Sequence, residues 1–592
     1  MGMRLALAQL NPIVGDLEGN ARNIIHYMTL ANDNQADLII FPELVLTGYP
    51  PEDLLLRPSF LRDAMIEFES IRRSAPPLFT CLGLPRTTPQ GIHNSAALFY
   101  GAEFLDFYDK CTLPNYSVFD EKRYFSTSVR CPVYQWERWR IGINICEDLW
   151  VRGGVPMVQA ETGEAQMLIN ISASPYHMGK SEFREQLLRH RASQYGVYLI
   201  CANQVGGQDE LVFDGSSLVI SPRGEVLARA RIFDEDLLYI DLPAAPMDRE
   251  RLSPPDDHFV EPGGKGLEYL EEHLYLDRVE LPAALITSLQ QKAQKAALKP
   301  RIEPFPAINA SIYKALLLGL RDYVRKNGFE RVVIGLSGGI DSALTATLAV
   351  DALGAGAVTG LAMPSPYSSA ASLEDARELC RRLKIRLDVL SIHSLFQSYR
   401  ETLEIPFKGL PEDVTEENIQ ARIRGNLLMA YSNKFSALVL ATGNKSEFAV
   451  GYCTLYGDMA GGFAVLKDVF KTRVFELSRW RNSLGPDDGP IPENTMVRPP
   501  SAELRKDQID QDTLPAYSQL DAILQLMVEE DLSPKEISAK GFDPVTVSKV
   551  FRWVDGNEYK RRQAPPGVKL TPRAFGKDRR YPLTNRYRPQ FR

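Results

Sequence analysis

The 592-residue chain carries 68 basic and 75 acidic side chains for a formal charge of −7, with 44% hydrophobic and 24% charged residues. That composition excludes a largely disordered or fibrous protein, and at about 150 residues per domain the length leaves room for two to four separate cores. No run nears the roughly 18 apolar residues of a membrane span, and the mild acidity gives no global pull towards nucleic acid.

The opening stretch MGMRLALAQLNPIVGD makes a poor signal peptide, its apolar run being cut by Gln9, Asn11 and Pro12. From there to about residue 242, short apolar runs alternate with longer amphipathic stretches. LALAQL (5–10), ADLIIF (36–41), LFTCLGLP (78–85), AALFY (96–100), RIGINIC (140–146), AQMLINIS (165–172), VYLICANQ (197–204) and SSLVISP (216–222) predict strands, and 21–33 and 181–195 predict helices. Layered α/β packing follows. Residues 243–308 break this rhythm with proline, glycine and charge around one helical stretch, as an interdomain connector would.

A second α/β domain is expected over 309–592. Asn309 or Ser311 is expected to cap a helix that stops at Asn327-Gly328. Strands are then predicted at 331–336, 357–363, 387–392 and 436–443, with helices at 341–353, 372–384 and 416–435 between them. Strands joined by single helices imply parallel crossovers and a doubly wound sheet, whose ligands sit at the carboxyl ends of the strands. Seven scattered cysteines without C-x-x-C spacing argue against a disulfide framework or structural zinc, and for a reducing cytoplasm.

Three polar residues of the first half stand where strands stop: Glu43 after ADLIIFP, Lys110 after EFLDFYD, and Cys146 at the end of RIGINIC. A thiolate needs a base to form it, and the oxyanion of an attacked amide needs a cation or an N–H to stabilise it. Those three residues supply such a set. The wording around them, FPEL, DKCTLPNYSVFDE and GINICEDLW, closely resembles the three motifs of the nitrilase-like carbon–nitrogen hydrolases. The resemblance implies an α-β-β-α sandwich over about 4–242, with Glu43 as base, Lys110 as oxyanion stabiliser and Cys146 as nucleophile. LPNYSVFDE and ISASPYHMGK further resemble the glutaminase form of this fold, which implies glutamine contacts from Tyr116, Glu147, Ser174 and Lys180. Members of that group often carry arginine where Lys180 stands.

In the second half GLSGGIDSA joins a strand to a helix. Small residues there let backbone N–H groups converge on phosphate, the helix dipole adds positive charge, and Asp341 suits magnesium. Without G-K-[ST] this is not a Walker loop. SGGxDS resembles the ATP pyrophosphatases, which cleave ATP between the α- and β-phosphates. ENIQARIRGNLLM, ATGNKSE, GYCTLYGDMAGGFAVLKDVFKT and PPSAELRKDQ resemble the NAD synthetases within that class. The resemblance implies ATP contacts from Gly335, Leu336, Ser337, Gly338, Gly339, Ile340, Asp341, Ser342, Thr442 and Lys471. It implies deamido-NAD contacts from Asn418, Arg422, Glu447 and Lys560, and Mg2+ at Asp341 and Glu447. Ammonia-dependent members of that class often carry lysine beside the YGD segment, where this chain has Leu455.

From 559 to 592 there are eleven Lys or Arg against one acid, Asp578. A nucleic-acid arm, a solvated tail and a segment closing over a dinucleotide all fit that pattern. NEYKRRQ resembles the closing segment of the NAD synthetases. Over nearly its whole length the chain resembles the glutamine-dependent NAD synthetases: a glutaminase feeding ammonia to an ATP-dependent amidation of deamido-NAD. Such an enzyme would be a cytoplasmic homo-oligomer, at least a dimer through the synthetase domain, passing ammonia internally. No nucleic-acid or membrane partner is expected. Another glutamine-dependent amidotransferase of the ATP-pyrophosphatase class, or a nucleotide-sensing module without turnover, remains open on the residues alone.

Overall fold

In a computed structural model the described residues are 2–243, 274–282, 298–485 and 489–587. They divide into two compact units, Met1–Gln208 with Val212–Pro306, and Asp209–Leu211 with Ala307–Arg592.

The first unit stacks two sheets. One has six strands in the order Asp236–Leu242, Met3–Gln9, Leu38–Ile40, Phe79–Thr88, Gly91–Tyr100, Glu103–Asp109. The other has seven, in the order Val226–Arg229, Leu218–Ile220, Tyr198–Asn203, Met167–Ser172, Trp139–Ile145, Arg130–Trp136, Tyr275–Glu280. Alternate residues of the central strands face each other between the sheets: Leu5, Leu7 and Ile40 on one side, Ile143, Ile145, Ile169, Ile171 and Ile200 on the other. Burying side chains of this size gives about 1.5–3 kcal/mol each. The other faces are covered by helices. Leu17–Asp33 and Pro58–Ser74 pack on the first sheet through Ile24, Met28, Phe68 and Ile71. Lys180–Tyr195 packs on the second through Leu188 and Ala192. This is the expected α-β-β-α sandwich.

The helix Pro58–Ser74 and the strands Arg130–Trp136 and Asp236–Leu242 extend the predicted pattern. Asp236–Leu242 pairs antiparallel with Met3–Gln9, Met3 opposite Leu242, and the Arg4 guanidinium grips Asp241 at 2.7 and 2.9 Å. The helical stretch expected in the connector falls largely outside the described residues. The part that is described, Tyr275–Glu280, is instead an edge strand parallel to Arg130–Trp136, and Asp277 accepts from Arg130 at 2.7 Å.

The second unit holds a five-stranded, wholly parallel sheet in the order Arg386–Val389, Val358–Ala362, Val332–Gly335, Leu438–Ala441, Phe463–Ala464. The order reverses at Val332–Gly335, so a crevice opens at its carboxyl end, the usual ligand position in a doubly wound sheet. Helices Ile340–Leu353, Ala370–Leu383 and Val414–Phe435 connect the strands, close to prediction. Two expectations need correction. Neither Asn309 nor Ser311 caps the first helix, which runs Ile308–Lys326 from Ala307 without a side-chain cap. The Ser311 amide already bonds the Ala307 carbonyl at 2.9 Å, and Asn309 instead accepts from Arg473 at 3.3 Å. The strand expected through 392 ends at Val389. Helices Tyr517–Val528, Pro534–Ala539 and Pro544–Gly556 form a further apolar cluster with Ala449, Val450 and Phe575. Among the described residues no helix is long and apolar enough to cross a membrane.

One close approach connects fold to chemistry. A Cβ on Gly83, in the strand Phe79–Thr88, would strike the Pro42 carbonyl oxygen and stand 2.8 Å from the Glu43 Cα. Gly83→Ala is expected to destabilise the first unit by about 1–3 kcal/mol through overpacking. Calorimetric melting of the full chain checks it, and an unchanged transition would contradict the close approach.

Candidate active sites

In the first unit the three motif residues come from three separate strand ends and meet in the interior. Glu43 follows Leu38–Ile40 and is fully buried. Its Oε1 accepts from Lys110 Nζ and Asn94 Nδ2, both at 2.7 Å, and its Oε2 accepts from the Ala173 amide at 2.9 Å. Lys110, 1% exposed, follows Glu103–Asp109 and also donates to both oxygens of Glu121, at 3.0 and 2.8 Å. Burial alone would lower the pKa of this ammonium. The charges of Glu121 and Glu43 outweigh it and hold the Lys110 pKa well above its usual value. Burial in turn pushes Glu121 up to about 7, against the pull of Lys110. Tyr49 also donates to Glu121, at 2.9 Å.

Cys146 follows Trp139–Ile145 and opens the single turn Cys146–Leu149 with φ +43°, a left-handed conformation that only a well-supported non-glycine residue keeps. Burial first, then the charge of Glu43, raises the thiol pKa well above normal, while Lys110 pulls it down. The resting group is therefore a thiol, and it needs a base to become a nucleophile.

The Asp148 carboxylate ties the turn to the lysine loop. It accepts from the Ile145 amide at 3.0 Å, from the Cys111 and Thr112 amides at 3.2 and 2.7 Å, and from the Tyr108 hydroxyl at 2.5 Å. The residue before Cys146 and those after Lys110 thus share one anchor.

Tyr116, Glu147, Ser174 and Lys180, the residues expected to contact glutamine, belong to neighbouring segments of the same unit. Tyr116 donates to both oxygens of Glu147 at 3.1 Å, and the Lys180 ammonium stands 4.1 Å over the Trp150 ring. Ser174 is buried next to Ala173, whose amide holds Glu43, and its own amide bonds Asn203 at 2.9 Å.

In the second unit the loop from Gly335 to Ser342 closes the carboxyl end of Val332–Gly335 and lines a cavity of about 280 Å3. Gly338 has φ +79°, and a Cβ there would strike the Ser372 carbonyl, so only glycine fits. The Ser337 hydroxyl accepts from the Gly339 amide at 3.2 Å, and Ser342 donates to the Gly339 carbonyl at 3.0 Å. Thr442, Glu447 and Lys471 line the same cavity. Lys471 Nζ pairs with Asp341 and, at 3.1 Å, with Glu447, while Asn444 Nδ2 donates to Asp341 at 2.9 Å. Burial raises Glu447 to about 8 with the Asp341 charge adding to it, against the pull of Lys471.

Asn418, Arg422 and Lys560 are absent from that lining and gather instead at the 451–455 segment. Asn418 accepts from Thr454 Oγ1 at 2.7 Å, Arg422 Nε donates to the Leu455 carbonyl at 3.2 Å, and Lys560 donates to the Gly451 and Cys453 carbonyls at 2.7 and 2.8 Å. The cavity is lined from this helix by Ala421, Arg424, Gly425 and Leu428, an i, i+3, i+4, i+7 face that Arg422 cannot share. Arg424, missed by the sequence reading, is the guanidinium on that face, and burial lowers its pKa to about 10. The spacing was its signal. Glu121 was missed although it closes the DKCTLPNYSVFDE motif, and Asp510, whose carboxylate lines the cavity and accepts from Tyr517 at 2.8 Å, lies just past the last motif quoted.

Family models match the two halves of the chain separately. A carbon–nitrogen hydrolase family model matches residues 4–249 and an NAD synthase model matches 312–564. The chain is 46% identical over 588 residues to the glutamine-dependent NAD(+) synthetase of Thermotoga maritima, covering 99% of both chains. The chain belongs to the glutamine-dependent NAD(+) synthetases. It is also 45% identical over 589 residues to the Acinetobacter baylyi member, with 99% of both covered. The structure of the Acinetobacter baumannii glutamine-dependent NAD+ synthetase in complex with ADP superposes with a TM-score of 0.72 at 41% identity, with 99% of each chain covered.

Replacing Glu121 with Gln removes one of the two charges on Lys110 while keeping its shape. Glutamine-driven NAD synthesis is expected to fall about 10²-fold or more, the scale of a misplaced acid–base partner, with ammonium-driven synthesis retained. Steady-state rates with each nitrogen donor check it; equal losses with both donors would contradict a role confined to the first unit.

Proposed function

We propose that the first unit hydrolyses glutamine and the second uses the ammonia to convert deamido-NAD to NAD at the expense of ATP, with the following residue roles. The observation that carries the reading is one chain holding both a buried Glu43–Lys110–Cys146 cluster and a glycine-rich loop facing a polar cavity.

In the glutaminase, Tyr116, Glu147, Ser174 and Lys180 hold the amino acid, the Lys180 charge meeting its α-carboxylate. Glu43 takes the Cys146 proton as sulfur attacks the carboxamide carbon, and Lys110 donates a hydrogen bond to the developing oxyanion. Collapse of the tetrahedral species breaks the C–N bond, and the proton on Glu43 passes to the departing nitrogen, giving ammonia and a thioester. Water then loses a proton to Glu43, attacks the thioester and releases glutamate, and the proton returns to Cys146. Glu121 keeps Lys110 charged throughout.

In the synthetase, the backbone of 335–342 cradles the phosphates of ATP, Thr442 and Lys471 add contacts, and Arg424 faces the same cavity. An oxygen of the nicotinate carboxylate attacks the α-phosphorus, the bond to the β-phosphate oxygen breaks, and pyrophosphate leaves. Ammonia attacks the resulting mixed anhydride, and AMP departs from NAD. Asn418, Arg422, Glu447 and Lys560 take the dinucleotide. Leu455 brings no charge to its segment, and Arg422, bonded to the Leu455 carbonyl, supplies one there.

Among the described residues no three His, Cys, Asp or Glu are grouped to enclose a metal. Magnesium bound with ATP needs only one or two carboxylates, because phosphates and water complete its shell. Asp341 and Glu447, drawn together on Lys471, fit that need and would hold Mg2+, which supplies positive charge to the phosphate oxygens.

The protein is read as a cytoplasmic homo-oligomer, at least a dimer through the synthetase unit. Exposed apolar side chains on its helices His393–Leu403 and Val414–Phe435, among them Leu395, Tyr399, Met429 and Phe435, support that reading.

Cys146→Ala is expected to abolish glutamine-dependent synthesis and leave synthesis from ammonium near normal. Asp341→Asn is expected to lower synthesis at least tenfold with either donor. Assays of AMP, pyrophosphate and NAD with each donor check both, and glutamine-driven turnover by Cys146→Ala would reject the nucleophile. Ammonia is expected to pass internally: with amide-labelled glutamine and excess unlabelled ammonium, most NAD should carry the label, whereas mainly unlabelled NAD would mean release to solvent.

A further inference from the structure

The NAD synthase match ends at residue 564, yet the chain beyond it enters the interior of the second unit. Val568, Leu570 and Thr571 are each only 1% exposed. The Asp468 carboxylate accepts from the Leu570 and Thr571 amides at 2.8 and 2.7 Å and lies 2.9 Å from the Thr571 hydroxyl. That hydroxyl also accepts from Lys445 Nζ at 2.6 Å. Lys445 has no solvent exposure, and its remaining bonds go to Asp468 and Glu529, each at 2.9 Å, and to the Arg573 carbonyl at 3.1 Å.

Both residues that grip Thr571 belong to the segments carrying the ATP-site side chains. Lys445 lies between Asn444, which bonds Asp341, and Ser446, whose hydroxyl accepts from the Lys471 amide at 2.9 Å. Asp468 stands three residues before Lys471, and the Lys445 amide donates to the Val469 carbonyl at 2.9 Å, joining the two segments. Thr571 therefore bridges the backbones that carry Glu447 and Lys471, while Asn444, next to Lys445, reaches Asp341 through its side chain. A buried hydroxyl linking an ammonium to a carboxylate fixes the direction of both charges, which an apolar group of the same shape cannot do.

We propose that residues 568–573 form a strap that positions the Asp341–Lys471–Glu447 cluster, with Thr571 as the positioning residue acting through Asp468 and Lys445. The proposal rests on the reading of that cluster as the ATP site. Thr571→Val removes only the hydroxyl: Lys445 keeps two carboxylates and Asp468 keeps two amides, so the charges stay paired.

The test uses the full chain and calorimetric titration with an ATP analogue carrying a methylene bridge between the α- and β-phosphorus. Thr571→Val is expected to weaken analogue binding at least fivefold and lower kcat from saturating ammonium about tenfold, with glutamine hydrolysis unchanged. Thr571→Ser, which restores the hydroxyl, is expected to recover both values. If Thr571→Val melts early or stays unfolded, Thr571→Ala replaces it with the same expectations. Wild-type binding and kcat in the folded variant would overturn the proposal, as would a kcat loss that only follows the unfolded fraction. Lys471→Met separates the two levels. If it leaves analogue binding unchanged, the ATP-site reading itself fails; if it weakens binding while Thr571→Val does not, only the strap falls.

Discussion

Each unit is organised around a buried ammonium held between two carboxylates. Lys110 stands between Glu43 and Glu121, and Lys471 between Asp341 and Glu447. Removing such ions from water costs several kcal/mol apiece, which mutual attraction repays only with close geometry and further donors. Those donors are present: Asn94 and the Ala173 amide on Glu43, Tyr49 on Glu121, Asn444 on Asp341. Burial drives one carboxyl of each pair up, Glu121 to about 7 and Glu447 to about 8, and the charge of the second carboxylate adds to the shift. The same arrangement suits two chemistries. On the proposed roles it would leave room in the first unit for a proton in transit and in the second for a cation arriving with phosphate.

These clusters are set at the carboxyl ends of strands because that is where extended backbone can release a side chain into the interior without losing its ladder. Glu43, Lys110 and Cys146 leave three different strands within one or three residues of the last pairing. The price is local strain at Cys146, whose left-handed backbone is over-determined by the Asp148 anchor. In the second unit the corresponding crowding falls at Gly338, which must pass the Ser372 carbonyl.

Most of this was legible because it is local. Strand ends, a strand–glycine loop–helix junction and the three hydrolase motifs are written in consecutive residues, and the nitrilase-like and doubly wound sheets followed from them. What was missed depends on distant partners. Asp236–Leu242 and Tyr275–Glu280 carry charges that break an apolar pattern, and only pairing with Met3–Gln9 and Arg130–Trp136 makes them strands. The cap expected from Asn309 or Ser311 failed because Asn309 turns to Arg473, far along the chain. Arg424 was overlooked in favour of Arg422 although the helical period separates them, a reminder that a motif names a neighbourhood whereas periodicity names a face.

The basic carboxy-terminal stretch shows why charge counts alone mislead. By composition it reads as an arm for a polyanion. In the fold, Arg561 donates to the Phe448 and Ala449 carbonyls and pairs with Glu558, so it serves the end of the helix Lys445–Val450. Lys569 pairs with Asp578 at 3.0 Å, and Arg579 lies 3.9 Å over the Tyr581 ring. Cations with such partners cannot leave them for an external phosphate without exposing the groups they satisfy. Among the described residues, Arg561, Lys569 and Arg579 thus serve to fasten this segment. The fastening is dense where the chain passes Asp468 and Lys445, which is where the synthetase segments need a fixed backbone.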